Sequence, residues 1–172
     1  TDNLEQAARR ARYEFFVRVA KKTKAQVVLT AHTMNDQAET VLLRLLRGSG
    51  ADGLAGMAPV RSLDSQSNAS LVRPLISWAK RTDTEDYCQR RGVEFRRDKM
   101  NDDERFARVR VRKQLLPLLQ SFNGKVVQGL VRTAQLLRED VTVLNEEAAR
   151  LLREVGKTLP GNETETRSAL LN

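Results

Sequence analysis

QVVLTAHTMNDQAETVLLRLLRGSGADGL, residues 26–54, decides the fold. Its first six residues, Gln26–Ala31, are uncharged and rich in β-branched side chains, which reads as a short buried strand. From about Asp36 to Arg47 the period changes. Ala38, Val41, Leu42, Leu45 and Leu46 recur at i, i+3, i+4, i+7 and i+8, the apolar stripe of an amphipathic helix. Gly48–Ser49–Gly50 then terminates it. Upstream, Leu4, Ala7, Ala8, Ala11, Phe15 and Val19 repeat at helical spacing, with Asp2 or Asn3 as the cap and Arg9, Arg10, Arg12 and Arg18 off the stripe. Helix, strand and helix in that order predict an α/β protein with a parallel sheet. In such folds ligands sit at the carboxyl ends of strands. Here that junction carries His32, the single histidine of the chain, together with Asp36 and Glu39.

Weaker signals follow. Met57–Leu63 and Ser70–Ile76 read as two strands joined across the polar loop Asp64–Asn68, as in a hairpin. Lys80–Arg91 reads as a polar helix closed by Gly92, Val93–Arg97 as a short strand, and Arg105–Leu119 as a basic helix with Pro117 near its end. From Val127 the apolar steps alternate between three and four: Val127, Leu130, Ala134, Leu137, Val141, Leu144, Ala148 and Leu151. This predicts a long helix lying along its own domain or bridging to the next. A homodimeric coiled coil is the alternative, with Ala134 and Ala148 weakening its seam. The expected organisation is one domain over residues 1–122, a long linker helix over 123–155, and a linker or further domain from 156 to 172.

Charge narrows the function classes. The 172 residues carry a formal +8, unevenly spread: residues 139–172 hold four basic and seven acidic side chains, which leaves +11 on residues 1–138. A basic body with an acidic tail favours a polyanionic partner, nucleic acid above membrane. No apolar run approaches the roughly 20 residues a bilayer span needs. The lone Cys88 excludes an intramolecular disulfide and a Cys-rich metal or iron–sulfur site, and it suits a reducing cytoplasm. The chain opens with Thr1, so an N-terminal portion is expected upstream.

Asp36 and Glu39, three apart at a helix start, share one face opposite the apolar stripe and are expected to point outward. Two readings compete. Thr33–x–x–Asp36 has capping-box spacing, and acids at a helix N-terminus offset its dipole. A paired acid cluster beside a histidine also suits an ammonium group or Mg²⁺, with the histidine orienting groups or moving protons. Farther on, Arg105, Arg108 and Arg112 fall on one helical face, joined by Arg110 and Lys113, with no acid between 105 and 113. Contact with phosphate backbone is the favoured reading; a solvated face answered by Asp102, Asp103 and Glu104 is the other. No G-x-x-x-x-G-K-[ST] or G-x-G-x-x-G run occurs.

HTMNDQAETVLLRLLRGSGADGLAGM, residues 32–57, resembles the H-x-x-D-D-Q-x-E-T…R-G-S-G…G-L-x-x-M signature of the tRNA(Ile)-lysidine synthase family, N-type ATP pyrophosphatases of the PP-loop superfamily. NLEQAARRARYEF (3–15) is similar to that family's upstream helix, and LVRPL (71–75) to its R-P-L strand. Asp98–Asn101 resembles its D-x-S-N turn, and FARVRVRKQLLPL (106–118) its F-x-R-N-x-x-R…L-x-P-L helix. The resemblance covers about residues 3–140.

It implies part of an adenine-nucleotide alpha-hydrolase-like domain followed by a helical segment. The implied reaction uses ATP, with Mg²⁺, to adenylate the wobble cytidine of a tRNA(Ile) with a CAU anticodon. Free L-lysine then displaces AMP to form lysidine. It implies that Asp36 and Glu39 hold lysine or the cytidine while His32 positions the reacting groups, and that Asn35 and Arg47, Gly48, Ser49 and Gly50 contact substrate. Arg105, Arg108, Arg110, Arg112 and Lys113 would grip tRNA.

Asn35 stands where the family carries Asp, Met100 where it carries Ser, and Val109 where it carries Asn. The family's S-G-G-x-D-S phosphate loop would lie upstream of Thr1, so the 172 residues alone are expected to be inactive. A sister ATP pyrophosphatase that thiolates tRNA and a non-catalytic basic RNA-binding fragment are the alternatives. The single cysteine opposes an iron–sulfur thiolase.

Overall fold

The computed structural model describes residues 2–64, 68–95 and 102–158. Helix α1 (Asp2–Thr23) leads into strand β1 (Val27–Leu29), then α2 (Met34–Leu46) and the single turn α3 (Ala51–Leu54). Strands β2 (Val60–Ser62) and β3 (Ser70–Val72) precede α4 (Arg81–Arg90). A basic helical stretch follows: α5 (Ala107–Arg110), a π-helical segment (Val111–Leu115) and α6 (Leu116–Phe122). The long α7 spans Val126–Thr158. The chain divides into two compact units, Thr1–Arg138 and Glu139–Asn172.

In the first unit the sheet order is β1–β3–β2. β1 runs parallel to β3 with Val28 opposite Leu71, and β2 pairs antiparallel with β3, as the hairpin pattern predicts. β3 is central, and Leu71 is fully buried. β1 departs from the expected buried strand. Among the described strands it has a neighbour on one side only, so Val27 and Leu29 are exposed while Val28 packs inward. Residues 93–95 form no strand, and the rest of that expected strand and the Asp98–Asn101 turn lie outside the described residues.

Two apolar clusters hold this unit. In one, α1 covers the sheet: Ala20, Leu63, Ala69 and Leu71 pack with Tyr13, Phe16, Val17 and Val28. The face α1 buries is therefore Tyr13–Phe16–Val17–Ala20, while Ala7, Ala8, Ala11, Phe15 and Val19 of the expected stripe are exposed. Both sets have helical spacing; the sheet selects the one whose Tyr13 hydroxyl meets Arg73. In the other cluster, Met34, Ala38 and Leu42 of α2 pack on Val111, Leu116, Val127 and Val131. Leu45 and Leu46, expected in the core, lie past this contact and are exposed. Pro117 sits inside the basic helical stretch rather than near its end. It lacks an N–H and its ring crowds the preceding turn, and the wider π-helical turn just before it accommodates both.

The described part of the second unit is helical, from Glu139 to Thr158. Arg150 pairs with Glu147 at 2.5 Å there, while Val143, Leu144, Leu151 and Leu152 are exposed. No helix among the described residues is long and apolar enough to cross a membrane.

Gly48, at φ +74°, closes α2 as its glycine predicts. Gly56 is more constrained. Its φ is +66°, and a Cβ there would lie 2.7 Å from the Nε2 atom of buried Gln37. That amide is fixed, because Gln37 donates to the Met57 carbonyl (3.2 Å) and accepts from the Met57 N–H (2.8 Å). Gly56→Ala is therefore expected to lower stability by about 1–3 kcal/mol in a urea melt, whereas Gly124→Ala, whose Cβ would meet nothing, should cost less.

Candidate functional site

The run from β1 to α2 is fixed from both sides. Thr30 donates its N–H to the Val72 carbonyl (2.9 Å), and Met34 donates to Ala79 (2.9 Å). Thr33, buried, caps α2. Its N–H and its hydroxyl both donate to Asp36 Oδ2, each at 2.8 Å. The capping reading of Asp36 holds, but it does not exhaust the residue.

Asp36 and Glu39 do not point outward. The Glu39 side chain is 0% exposed and that of Asp36 18%. The outward expectation failed because α5 and the π-helical segment pack along α2 beside its apolar stripe and bring Arg108 and Arg112 over the carboxylates, while Arg81 reaches in from the first position of α4. Arg108 Nε donates to Glu39 Oε2 at 2.7 Å, and Arg112 Nε to Oε1 at 2.7 Å. Arg112 Nη2 reaches Oε2 at 3.1 Å and Arg81 Nη2 reaches Oε1 at 3.3 Å, so both oxygens of Glu39 are occupied twice. Asp36 Oδ1 accepts from Arg108 at 3.2 Å and Arg81 at 3.5 Å. Asn35 joins the network as an acceptor, taking the Arg81 N–H at 2.9 Å.

Three guanidiniums facing two carboxylates leave a surplus of one positive charge. Arg81, Arg108 and Arg112 retain 32%, 25% and 23% side-chain exposure, so this surplus meets solvent. Burial alone would raise the Asp36 pKa; the Thr33 hydrogen bonds and the charges of Arg108 and Arg81 outweigh it and hold the carboxyl below its usual range. The hydrogen bond to Glu39 raises Arg112 in turn.

His32 lies half-buried beside this network, its Nδ1 2.9 Å from Thr30 Oγ1. Burial lowers its pKa first. The Asp36 charge pulls it up, but Arg73, Arg108 and Arg9 push it down, so the imidazole is neutral near pH 7.

The basic stretch has its acids after all. Besides Arg108 and Arg112, Arg105 pairs with Asp103 at 2.7 Å and Lys113 with Asp102 at 3.0 Å. Arg110 alone of the five is exposed without an ion pair among the described residues. Arg47, Gly48, Ser49 and Gly50 stand at the other end of α2, about 16 Å along the axis from Asp36 at ~1.5 Å per residue. The structure does not bring them to the carboxylates. Arg81 is the member that sequence reading missed. The available signal was an acid pair with no basic partner on its own helix.

The chain matches a family model described as the PP-loop domain over residues 1–119. It belongs to the PP-loop domain family. The α/β fold, with its small sheet containing a parallel pair, is of the adenine-nucleotide alpha-hydrolase type. Among curated relatives, the tRNA(Ile)-lysidine synthase of Geobacter sulfurreducens is 42% identical over 151 residues, covering 88% of this chain and 31% of the relative. The enzyme of the same name from Symbiobacterium thermophilum is 45% identical over 145 residues (84% and 29%), and that from Nostoc sp. 38% identical over 162 residues (94% and 46%). The chain thus spans between 29% and 46% of the length of these three relatives.

Two outcomes follow for this PP-loop domain. Glu39→Gln leaves three arginines facing a neutral amide and is expected to cost about 3–5 kcal/mol in urea unfolding at pH 7. His32, lowered from its ordinary 6.5, makes the unfolded chain the better proton binder between 6.5 and the folded value. Stability should therefore fall as pH drops through that window. His32→Gln, followed by denaturant midpoints from pH 8 downward, should remove that part of the fall.

Proposed function

We propose that this chain is part of the catalytic domain of a tRNA(Ile)-lysidine synthase. In this reading ATP adenylates the carbonyl oxygen of the wobble cytidine of a CAU-anticodon tRNA(Ile), releasing pyrophosphate. The ε-amine of free L-lysine then displaces AMP. The observation that carries the reading is the carboxylate pair after β1, Glu39 fully buried and Asp36 partly so, closed by three partly exposed arginines beside a neutral histidine. The relatives' shared name supports the choice of reaction.

Each residue then has a role that its surroundings suit. Glu39, fully buried and occupied at both oxygens, is a positioning residue that aims Arg108 and Arg112. Asp36 keeps some exposure, and its contact with Arg81 is the longest in the network at 3.5 Å. It is the carboxylate that can exchange a guanidinium for the ammonium of lysine. His32, neutral, accepts a proton or orients the amine. The guanidiniums of Arg81, Arg108 and Arg112 offer forked donors to a phosphate of ATP or tRNA. Arg110 and, with weaker claims since Asp103 and Asp102 hold them, Arg105 and Lys113 contact the RNA backbone. Asn35 orders the start of α4, and Arg47 with Gly48–Gly50 serves a more distant part of the substrate. A cytoplasmic location fits this chemistry.

A Mg²⁺ ion brought in with ATP would be held chiefly by the phosphates and by one or two carboxylates. Among the described residues no three His, Cys, Asp or Glu side chains could together hold a metal ion, and the Asp36 and Glu39 oxygens are occupied by Thr33 and the arginines.

The test is incorporation of labelled lysine into a CAU-anticodon tRNA(Ile), with ATP, by protein from the complete reading frame. Incorporation that requires the wobble cytidine is expected. Asp36→Ala should lower it by about a hundredfold, the scale for losing a charge partner in a polar site, with KM for lysine rising. Failure of the unaltered protein to incorporate lysine, with tRNA binding intact, would overturn the reading.

A further inference from the structure

A second concentration of positive charge gathers on Tyr13, outside the carboxylate network. Arg73, just after β3, is 2% exposed. Its Nη1 donates to the Ala58 carbonyl at 2.6 Å and its Nη2 to the Tyr13 hydroxyl at 3.2 Å, while its Nε is buried with no partner. Arg9 Nη2 donates to the same hydroxyl at 3.4 Å, and its Cζ lies 5.1 Å from the ring centroid. Arg61, on β2, places its Cζ 4.7 Å from that centroid. Among the described residues none of these arginines makes an ion pair.

This grouping is costly as it stands. Like charges brought this close repel, and a buried guanidinium without a counter-charge carries a desolvation penalty that a neutral phenol offsets only in part. Holding the Ala58 carbonyl and Tyr13 would need Arg73 alone. It gives no reason for two exposed guanidiniums, Arg9 and Arg61, to converge on the same ring. An anion that touches these two exposed arginines and feels the buried third removes the repulsion. A phosphate is the anion that suits several guanidinium forks, because its oxygens accept from more than one at once. Arg73 follows Val72, which pairs with Leu29 and whose carbonyl accepts the Thr30 N–H at 2.9 Å, so the group lies toward the end of β1.

We propose that Arg9, Arg61 and Tyr13, with Arg73 buried behind the phenol, form a binding site for a phosphate group, either of a nucleotide or of an RNA backbone. Arg9 and Arg61 touch the phosphate; Arg73 acts through Tyr13 and is a positioning residue. The site stands on its own geometry and does not rest on lysine ligation.

The experiment measures binding of tripolyphosphate by calorimetry and of a labelled single-stranded RNA by anisotropy, across a salt series. It compares the unaltered protein, the Arg9→Ala/Arg61→Ala double variant, and Arg132→Ala, an exposed position on α7, as a single-charge control. Thermal melts confirm folding, and Arg61→Gln alone gives the same readout if the double variant melts early. The double variant is expected to lose about tenfold or more in affinity, with the slope of log affinity against log salt smaller by about 1–2 for RNA. Loss for tripolyphosphate alone assigns a nucleotide phosphate, and loss for RNA alone or for both assigns a backbone phosphate. The proposal is overturned if the unaltered protein binds neither probe. It is equally overturned if the double variant binds both within twofold of the unaltered protein, or loses no more than Arg132→Ala does.

Discussion

A fully buried carboxylate must be answered inside the protein, and Glu39 is answered three times. Its two oxygens receive Arg81, Arg108 and Arg112, which come from α4, α5 and the π-helical segment. An ionised group without water needs charged, hydrogen-bonded partners on every side. That requirement ties arginines more than forty residues along the chain from Glu39 to the N-terminal half of α2. The apolar contact of α2 with Val111, Leu116, Val127 and Val131 supplies non-directional adhesion beneath. The ionic contact supplies the register.

The geometry at this point has consequences for chemistry. Arg108 and Arg112 are one turn apart and grip the same carboxylate, so neither guanidinium can swing without breaking a 2.7 Å contact. Preorganised donors of this kind stabilise developing charge without having to reorient. Asp36 divides its oxygens differently: Oδ2 serves Thr33 and fixes the helix start, while Oδ1 faces two arginines over longer distances. One carboxyl thus combines a structural duty with a replaceable contact.

His32 feels charges from two unlike clusters, Asp36 and Arg108 from one and Arg73 and Arg9 from the other. In one, carboxylates and arginines nearly balance; in the other, Arg9, Arg61 and Arg73 gather on Tyr13 with no ion pair to any of the three among the described residues. Burial and the positive surplus together keep the imidazole neutral. Such a field draws polyanions toward the end of the parallel strands, and it agrees with the net +11 of residues 1–138.

Much of this was legible in residues 26–54. The change of apolar period located β1 and α2, Thr33–x–x–Asp36 announced the cap, and Gly48 marked the helix end. The hairpin and the polar helix before Gly92 were also readable, because turn residues and helix caps are local signals. Periodicity alone could not choose between the two apolar faces of α1, since Phe15–Val19 and Phe16–Ala20 are equally helical; contact with the sheet chose the second. Nor could it show that Glu39 is buried. That depends on arginines about forty to seventy residues away in sequence, and long-range charge pairing leaves no trace in local spacing. The sequence by itself determined the elements, their caps and the excess of positive charge, because these follow from short-range sterics and composition. Only the tertiary structure decided which arginines are taken up by Asp36 and Glu39 and which converge unpaired on Tyr13, because folding alone brings those side chains within hydrogen-bond reach.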